Sequence, residues 1–261
     1  IVVNFQKKAH YNVEDLRRIM ALLRQPDGCP WDRAQTHQSI RPNMLEEAYE
    51  AADAIDRGDT ENLKEELGDV LLQVVFHARI EEEQGRFTFA DSVNDVCRKL
   101  IVRHPHVFGE VKVKDSEDVL KNWNDIKQKT KGQETYTETL RSVCGALPAL
   151  MRAQKIGKRA ERAGMDFPDA EAALKSLESE IEEVKAASAE NEAEELGDML
   201  FAAVNVVRKK GYDAEELLTR AADKFVDRFE KTENMVRCEG KDMRSLDIDT
   251  LDAYWQKAKK Q

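Results

Sequence analysis

Glu47 and Glu50 lie one helical turn apart in LEEAYEA (45 to 51), and Glu66 and Asp69 repeat that spacing in EELGD (65 to 69). Side chains three or four residues apart share one face of a helix, so each pair presents two carboxylates together. The turn-forming DRGD (56 to 59) between them would fold the two helices back on each other and bring the pairs to one point. Four like charges at one point repel unless a cation neutralises them. A ligand set of oxygens alone suits Mg²⁺, with Mn²⁺ able to substitute, and leaves coordination positions for water and substrate phosphates. The chemistry that follows is attack of water on a phosphoryl group, the metal polarising the phosphoryl oxygen and acidifying the water. Glu46, beside the first pair, is the candidate acceptor of the water's proton. The plain alternative is that these carboxylates decorate solvated faces of acidic helices.

The arrangement occurs twice. EELGDVLLQVVFHAR (65 to 79) returns as EELGDMLFAAVNVVR (194 to 208), which sets Glu195 over Glu66 and Asp198 over Asp69. LEEAYEA returns as ESEIEEV (178 to 184), with Glu180 over Glu47 and Glu183 over Glu50. RKLIVR (98 to 103) returns as DKFVDR (223 to 228), with Lys224 over Lys99 and Arg228 over Arg103. Three blocks in one order, with spacings that change only at loops, imply a duplicated unit. We expect two domains of one helical fold, residues 1–130 and 141–261, joined by a polar linker at 131–140.

The elements that must carry these residues are helices. Glu, Ala, Leu, Lys and Arg dominate, Gly and Pro are sparse, and long β-branched alternations are absent, as in chains whose surfaces are filled with helix formers. Helices are expected near 13–24, 38–57, 60–84, 89–103, 116–130, 146–163, 169–187, 190–210, 213–237 and 249–260, separated by breakers such as PDGCP, DRGD, QGR, HPHVFG, KGQ, KKGYD and EGKD. Leu63, Leu67, Val70, Leu71, Val74, Val75 and Ala78 make the apolar stripe of the helix that bears Glu66 and Asp69. Gly68 and Gly197 sit mid-helix beside the metal-facing Asp, where glycine costs about 1 kcal/mol. Close approach of a neighbouring helix or a phosphate is the expected reason.

Of the 261 residues, 41% are apolar, enough for real cores, and the formal net charge is −10. Such a balance repels a nucleic acid backbone and also a free polyphosphate, so an anionic substrate needs the metal and a local basic patch. RAQKIGKRAER (152 to 162) supplies one: Arg152, Lys155, Arg159 and Arg162 recur at steps of three or four, with Lys158 beside them. No apolar run is long enough to span a membrane, the amphipathic helices are rich in Glu rather than in basic residues, and the N-terminal segment has no secretory pattern. The expectation is a soluble cytoplasmic protein that binds neither membrane nor nucleic acid. Cys29, Cys97, Cys144 and Cys238 are scattered and read as reduced thiols. His104 and His106, across a proline in HPHVFG, read as a turn that packs or caps a helix rather than as ligands.

These motifs together resemble the MazG family of nucleoside triphosphate pyrophosphohydrolases over essentially the whole chain. The resemblance rests on DGCPWDRAQTHQSIRPNMLEEAYEAADAI (27 to 55), ELGDVLLQVVFHA, RHPHVFG and LPALMRAQKIGKRAERAGMDF, and on the pattern EExxE followed by ExxD, met by Glu46, Glu47, Glu50, Glu66 and Asp69. It implies an all-α fold of two tandem repeats, with four-helix bundles completed by homodimerisation. It further implies hydrolysis of nucleoside triphosphates between the α and β phosphates, with Mg²⁺ on the carboxylates and a broad base range. In the second half Ser179 stands where the pattern has its first Glu, which leaves the water-activating role there to neighbouring Glu182 or to a different metal ligand. The family's nucleotide-contacting Asn, Lys and Arg correspond to Asp223, Lys224 and Arg228, and Trp255 matches an aromatic near the nucleotide. Asp223 replaces a neutral amide by an acceptor-only charge. Competing readings are a narrower dUTP or dCTP pyrophosphatase and a non-catalytic dimeric helical regulatory or scaffold protein.

Overall fold

The computed structural model describes residues 5–130 and 132–260, with the side chains of Glu117, Lys121, Asp125 and Lys129 left aside. The chain is all-α and forms two compact units, Ile1–Ile126 and Lys127–Gln261. The first holds α1 (Val13–Leu23), α2 (Pro30–Ala34), α3 (His37–Arg57), α4 (Thr60–Glu83), α5 (Phe89–Arg103) and α6 (Pro105–Phe108), with α7 (Ser116–Thr130) running past its end. The second holds α8 (Tyr136–Arg141), α9 (Ala149–Arg162), α10 (Ala170–Ala186), α11 (Glu192–Lys209), α12 (Ala214–Cys238), a 3₁₀ turn (Met243–Ser245) and α13 (Ile248–Ala258). Among the described residues no helix is long and apolar enough to cross a membrane.

Each unit is built on one antiparallel helix pair, α3 with α4 and α10 with α11. Local chemistry sets the first pair. Thr36 accepts a hydrogen bond from the Ser39 amide and the Ser39 hydroxyl accepts one from the Thr36 amide, which starts α3. Gly58, at φ +66, ends it, a left-handed conformation that costs glycine nothing. Asp59 then caps α4 through the Asn62 amide at 3.1 Å. Packed on this pair, α1 closes a core of Met20, Ile40, Val75, Phe76 and Ile80, with Leu16, Leu23 and Phe89 at its margin.

In the second unit α9 plays the part of α1, lying on α11 and α12. Gln154, buried on α9, donates to the Tyr212 carbonyl at 3.1 Å and accepts from the Ala214 amide at 2.8 Å, which fixes the α11–α12 turn. Arg208 on α11 is buried and grips Asp166, with Asn205 accepting from it at 3.1 Å and Glu161 at 3.2 Å. That grip and Lys209 at 2.9 Å hold the Asp166 carboxyl down at about 2.

Two expectations need correction. Of the expected linker 131–140, residues 132–140 are more than a polar tether: Thr135 caps α8 through the Glu138 amide, and α8 packs on α9 as part of the second unit. Short α2, α6 and α8 are single turns or little more, too brief to show a 3.6-residue period. Gly68 and Gly197 have open space where a Cβ would stand, so among the described residues no neighbouring helix explains them. Of the glycines inside helices the one under contact is Gly157, whose added Cβ would meet Arg208 Nε at 2.8 Å and Asn205 Oδ1 at 2.9 Å. Because Arg208 is buried and bound on several sides, it cannot swing away. Gly157→Ala is therefore expected to destabilise the protein by about 1–3 kcal/mol despite alanine's better helix propensity, read as a lower denaturation midpoint in urea.

Candidate active site

The antiparallel pairs bring the acidic residues together once in each unit. In the first, oxygens of Glu47 on α3 and of Glu66 and Asp69 on α4 lie within 4.8 Å of one another. The second has the same closeness for Glu180 and Glu183 on α10 and Glu195 on α11. Glu50 and Asp198 stand just outside these trios, yet both are felt: burial first, then Asp69, Glu50, Glu66 and Glu46 push the Glu47 carboxyl above its ordinary range. Burial, then Glu50 and Asp69, raise Glu66. Burial, then Glu183, Asp198 and Glu195, raise Glu180. Carboxyls that resist ionisation through burial and one another's charge mark a site that lacks positive charge. Oxygen donors at this spacing fit a hard divalent cation.

The two units differ around the trio. Glu46 is exposed beside Glu47. In the second unit Ser179, at the equivalent position, donates from its hydroxyl to Glu183 Oε1 at 3.2 Å and so orients that carboxylate. Glu182 does not join the site, because it is two residues from Glu180, which places it on the far side of α10, where it pairs with Lys185 at 2.7 Å in the open.

The basic stripe of α9 divides in the same way. Arg152, Lys155, Lys158 and Arg162 are exposed, but Arg159 is buried and donates to the Ser142 hydroxyl at 2.7 Å and to the Thr139 carbonyl, tying α8 to α9. Its expected role as a phosphate ligand gives way to this structural one. On α12, Asp223 and Lys224 are exposed and Arg228 is half-buried. Trp255 packs on α12 with its ring 4.9 Å from that of Phe225. In the first unit Arg103 lies over the Trp123 ring at 5.0 Å. His104 bonds the Leu100 carbonyl at the end of α5, as a capping residue should, and the four cysteines are free.

One feature escaped the sequence. A cavity of about 440 Å³ opens beside Glu180 and Asp198, walled by Ile156, Phe167 and Phe201 and floored by Asn205 and Arg208. The floor groups are engaged with each other, and Asn205 also donates to the Phe201 carbonyl at 3.3 Å. At the Asn205 position of the repeat the first unit has Phe76, which is buried in the core. The signal was therefore present as a single Phe-to-Asn difference between the aligned repeats.

Residues 35–108 match the model of the MazG nucleotide pyrophosphohydrolase domain. The nucleoside triphosphate pyrophosphohydrolase/pyrophosphatase MazG of Thermotoga maritima is 44% identical over 255 residues, covering 97% of this chain and 98% of that protein. The chain belongs to the MazG family. The nucleoside triphosphate pyrophosphohydrolase of Escherichia coli K12 is 41% identical over 256 residues, 95% of this chain and 97% of that one. Its namesake in Mycobacterium tuberculosis is 41% identical over 138 residues, 52% of this chain and 41% of its own length. Glu46, Glu47, Glu50, Glu66 and Asp69 all fall inside the matched domain.

A carboxyl whose pKa is raised on folding favours the folded state when protonated, and that contribution fades as pH rises through the raised value. At neutral pH the metal-free site is accordingly a source of repulsion. Glu180→Gln is expected to raise the melting temperature of the metal-free protein at about pH 7.5 while shrinking the further rise given by a divalent cation. Thermal scans in EDTA and in Mg²⁺ provide the check.

Proposed function

We propose that the chain hydrolyses ribo- and deoxyribonucleoside triphosphates of broad base range to the monophosphate and pyrophosphate, in an Mg²⁺-dependent reaction that clears surplus or noncanonical nucleotides. It is a MazG-family enzyme of the nucleoside triphosphate pyrophosphohydrolase class. The observation that carries the reading is the pair of acidic trios on antiparallel helices. Glu47, Glu66 and Asp69 would hold the cation in one unit, with Glu50 adjoining. Glu180, Glu183 and Glu195 would hold it in the other, with Asp198 adjoining. When bound, the cation neutralises phosphate oxygens and acidifies the attacking water. Glu46 would take that water's proton in the first unit. Arg152, Lys155, Lys158 and Arg162, with Lys224 and Arg228, would receive the phosphate chain, Arg gripping it in bidentate fashion.

The second unit is our choice for the principal site. The cavity beside Glu180 and Asp198 is of a size for a nucleoside, and Phe76 fills the matching position in the first unit. Breadth of base is supported by the floor, where Asn205 and Arg208 already satisfy each other and leave little polar capacity to read a base edge. We also assign the chain two tandem MazG-like domains whose bundles are completed in a homodimer. The apolar faces that support this are exposed in each unit: Leu67, Ile101 and Val102 in the first, and Leu200, Leu218, Phe225 and Val226 in the second.

Product analysis with a panel of nucleoside triphosphates and Mg²⁺ tests the reading. Monophosphate and pyrophosphate are expected from the wild type and from Glu50→Ala. Glu183→Ala is expected to lose at least about a hundredfold in rate, as when a metal's oxygen ligand is removed. Loss in Glu50→Ala alone would move catalysis to the first unit, and release of orthophosphate would overturn the assigned reaction.

A further inference from the structure

The α3–α4 seam of the first unit holds a second polar cluster, two turns of α4 beyond Asp69 and outside the carboxylate site. His37 opens α3, while His77 and Glu81 occupy successive turns of α4. The two imidazoles lie with planes 5° apart and Nδ1 atoms 2.7 Å apart. His37 Nε2 is 2.5 Å from Glu81 Oε1, and Glu81 also receives Arg86, through Nε and through Nη2 at 2.6 Å. With Arg86 and then His37 bonded to it, the Glu81 carboxyl is held down at about 2. His77 Nε2 is buried, and among the described residues no protein group pairs with it.

Counting protons shows what this geometry permits. Only one hydrogen fits between nitrogens 2.7 Å apart. His37 Nε2 faces a permanent carboxylate and therefore carries a hydrogen. In the neutral array His77 Nδ1 donates to His37 Nδ1, which leaves His77 Nε2 bare. An additional proton has two destinations. It binds His77 Nε2 directly, or it makes His37 the cation and turns His77 to its other tautomer. Both outcomes put a hydrogen on His77 Nε2, a buried donor with no protein acceptor, which is costly. Burial and then the neighbouring His37 accordingly push the His77 pKa down.

Among the charged groups around the pair, Glu81 of α4 faces His37 Nε2 and favours a charge there, but it is shared with Arg86 of the following turn. From α3 itself comes Arg41, one turn on. From α1 comes Arg24, which donates to the Gln35 carbonyl just ahead of α3 and pairs with Glu83. The second unit has Val206 and Lys210 where His77 and Glu81 stand, so the device belongs to the first unit.

We propose that His37 and His77 form a pH-sensitive lock, which holds the first turns of α3 on α4 while both imidazoles are neutral and lets them part when one is protonated. Since α3 carries Glu46, Glu47 and Glu50, opening loosens the first unit's acidic cluster in mild acid. That consequence rests on the metal reading above, whereas the lock itself does not.

The sign follows from the lowered pKa: the unfolded or opened histidine binds the proton more readily, so the lock's contribution is present above the ordinary histidine range and is lost as pH falls through it. The test is amide hydrogen exchange on the full-length, metal-free chain, corrected for intrinsic rates, beside an NMR titration of the five histidines. Uptake of one proton per opening makes the opening constant at Ile40, Arg41 and Asn43 rise about tenfold per pH unit below about pH 6, with α10 unaffected. His77→Phe is expected to flatten that slope, and His37→Asn serves the same comparison if the first variant does not fold. In the wild type, the resonance of His77 should resist protonation until α3 opens. Ordinary titration of His77 with α3 protection unchanged would overturn the proposal, as would an undiminished slope in the variants. Mg²⁺ titration of the same samples reads the metal site independently, so failure of either idea is distinguishable.

Discussion

Carboxylates held within a few ångströms of one another repel, and the rest of this structure is arranged around tolerating that repulsion. Helices placed side by side by a tight turn are what keep the trios together, because each ligand is rooted in a backbone whose hydrogen bonds are independent of the site. Glycine at φ +66 and the Asp59 cap complete that turn in the first unit. The cores beneath supply the apolar burial that offsets the electrostatic cost. A divalent cation there would relieve it, which would make metal binding and folding stability two views of one free energy.

The duplicated unit has kept this constraint and varied what surrounds it. The first unit carries the complete acidic pattern, a core sealed by Phe76, and the histidine pair at the start of α3. The second replaces the leading Glu by Ser179, which now steadies Glu183, and replaces the core phenylalanine by Asn205, which with Arg208 floors a cavity. Both cores use small side chains: Ala51, Ala54 and Ala78 are buried in the first unit, and Ala173, Ala202 and Ala214 in the second. Gly157 is part of the same economy of space, since Arg208 occupies the room a Cβ would need.

Charged residues on a helix carry no mark of whether they face a ligand or a neighbouring element. Arg159 and Arg162 look alike in sequence, and only the packing of α8 on α9 buries the first and leaves the second in solvent. Glu182 and Glu180 are separated by two residues, and the angle between them around α10 decides that one meets the cluster while the other pairs with Lys185.

By itself, the sequence determined the helical class, the principal helices, the repeat of its own motifs and the acidic pairs from which the two trios are drawn. All of these depend on periodicities of three to four residues and on turn chemistry written locally in the chain. The tertiary structure alone decided the outcomes that depend on residues far apart. It set Arg208 against Gly157 and Asp166, opened the cavity by Glu180, buried Arg159, and brought His37 to His77 across forty residues of sequence. Local propensity cannot encode these contacts, because they arise from which faces meet when the helices pack.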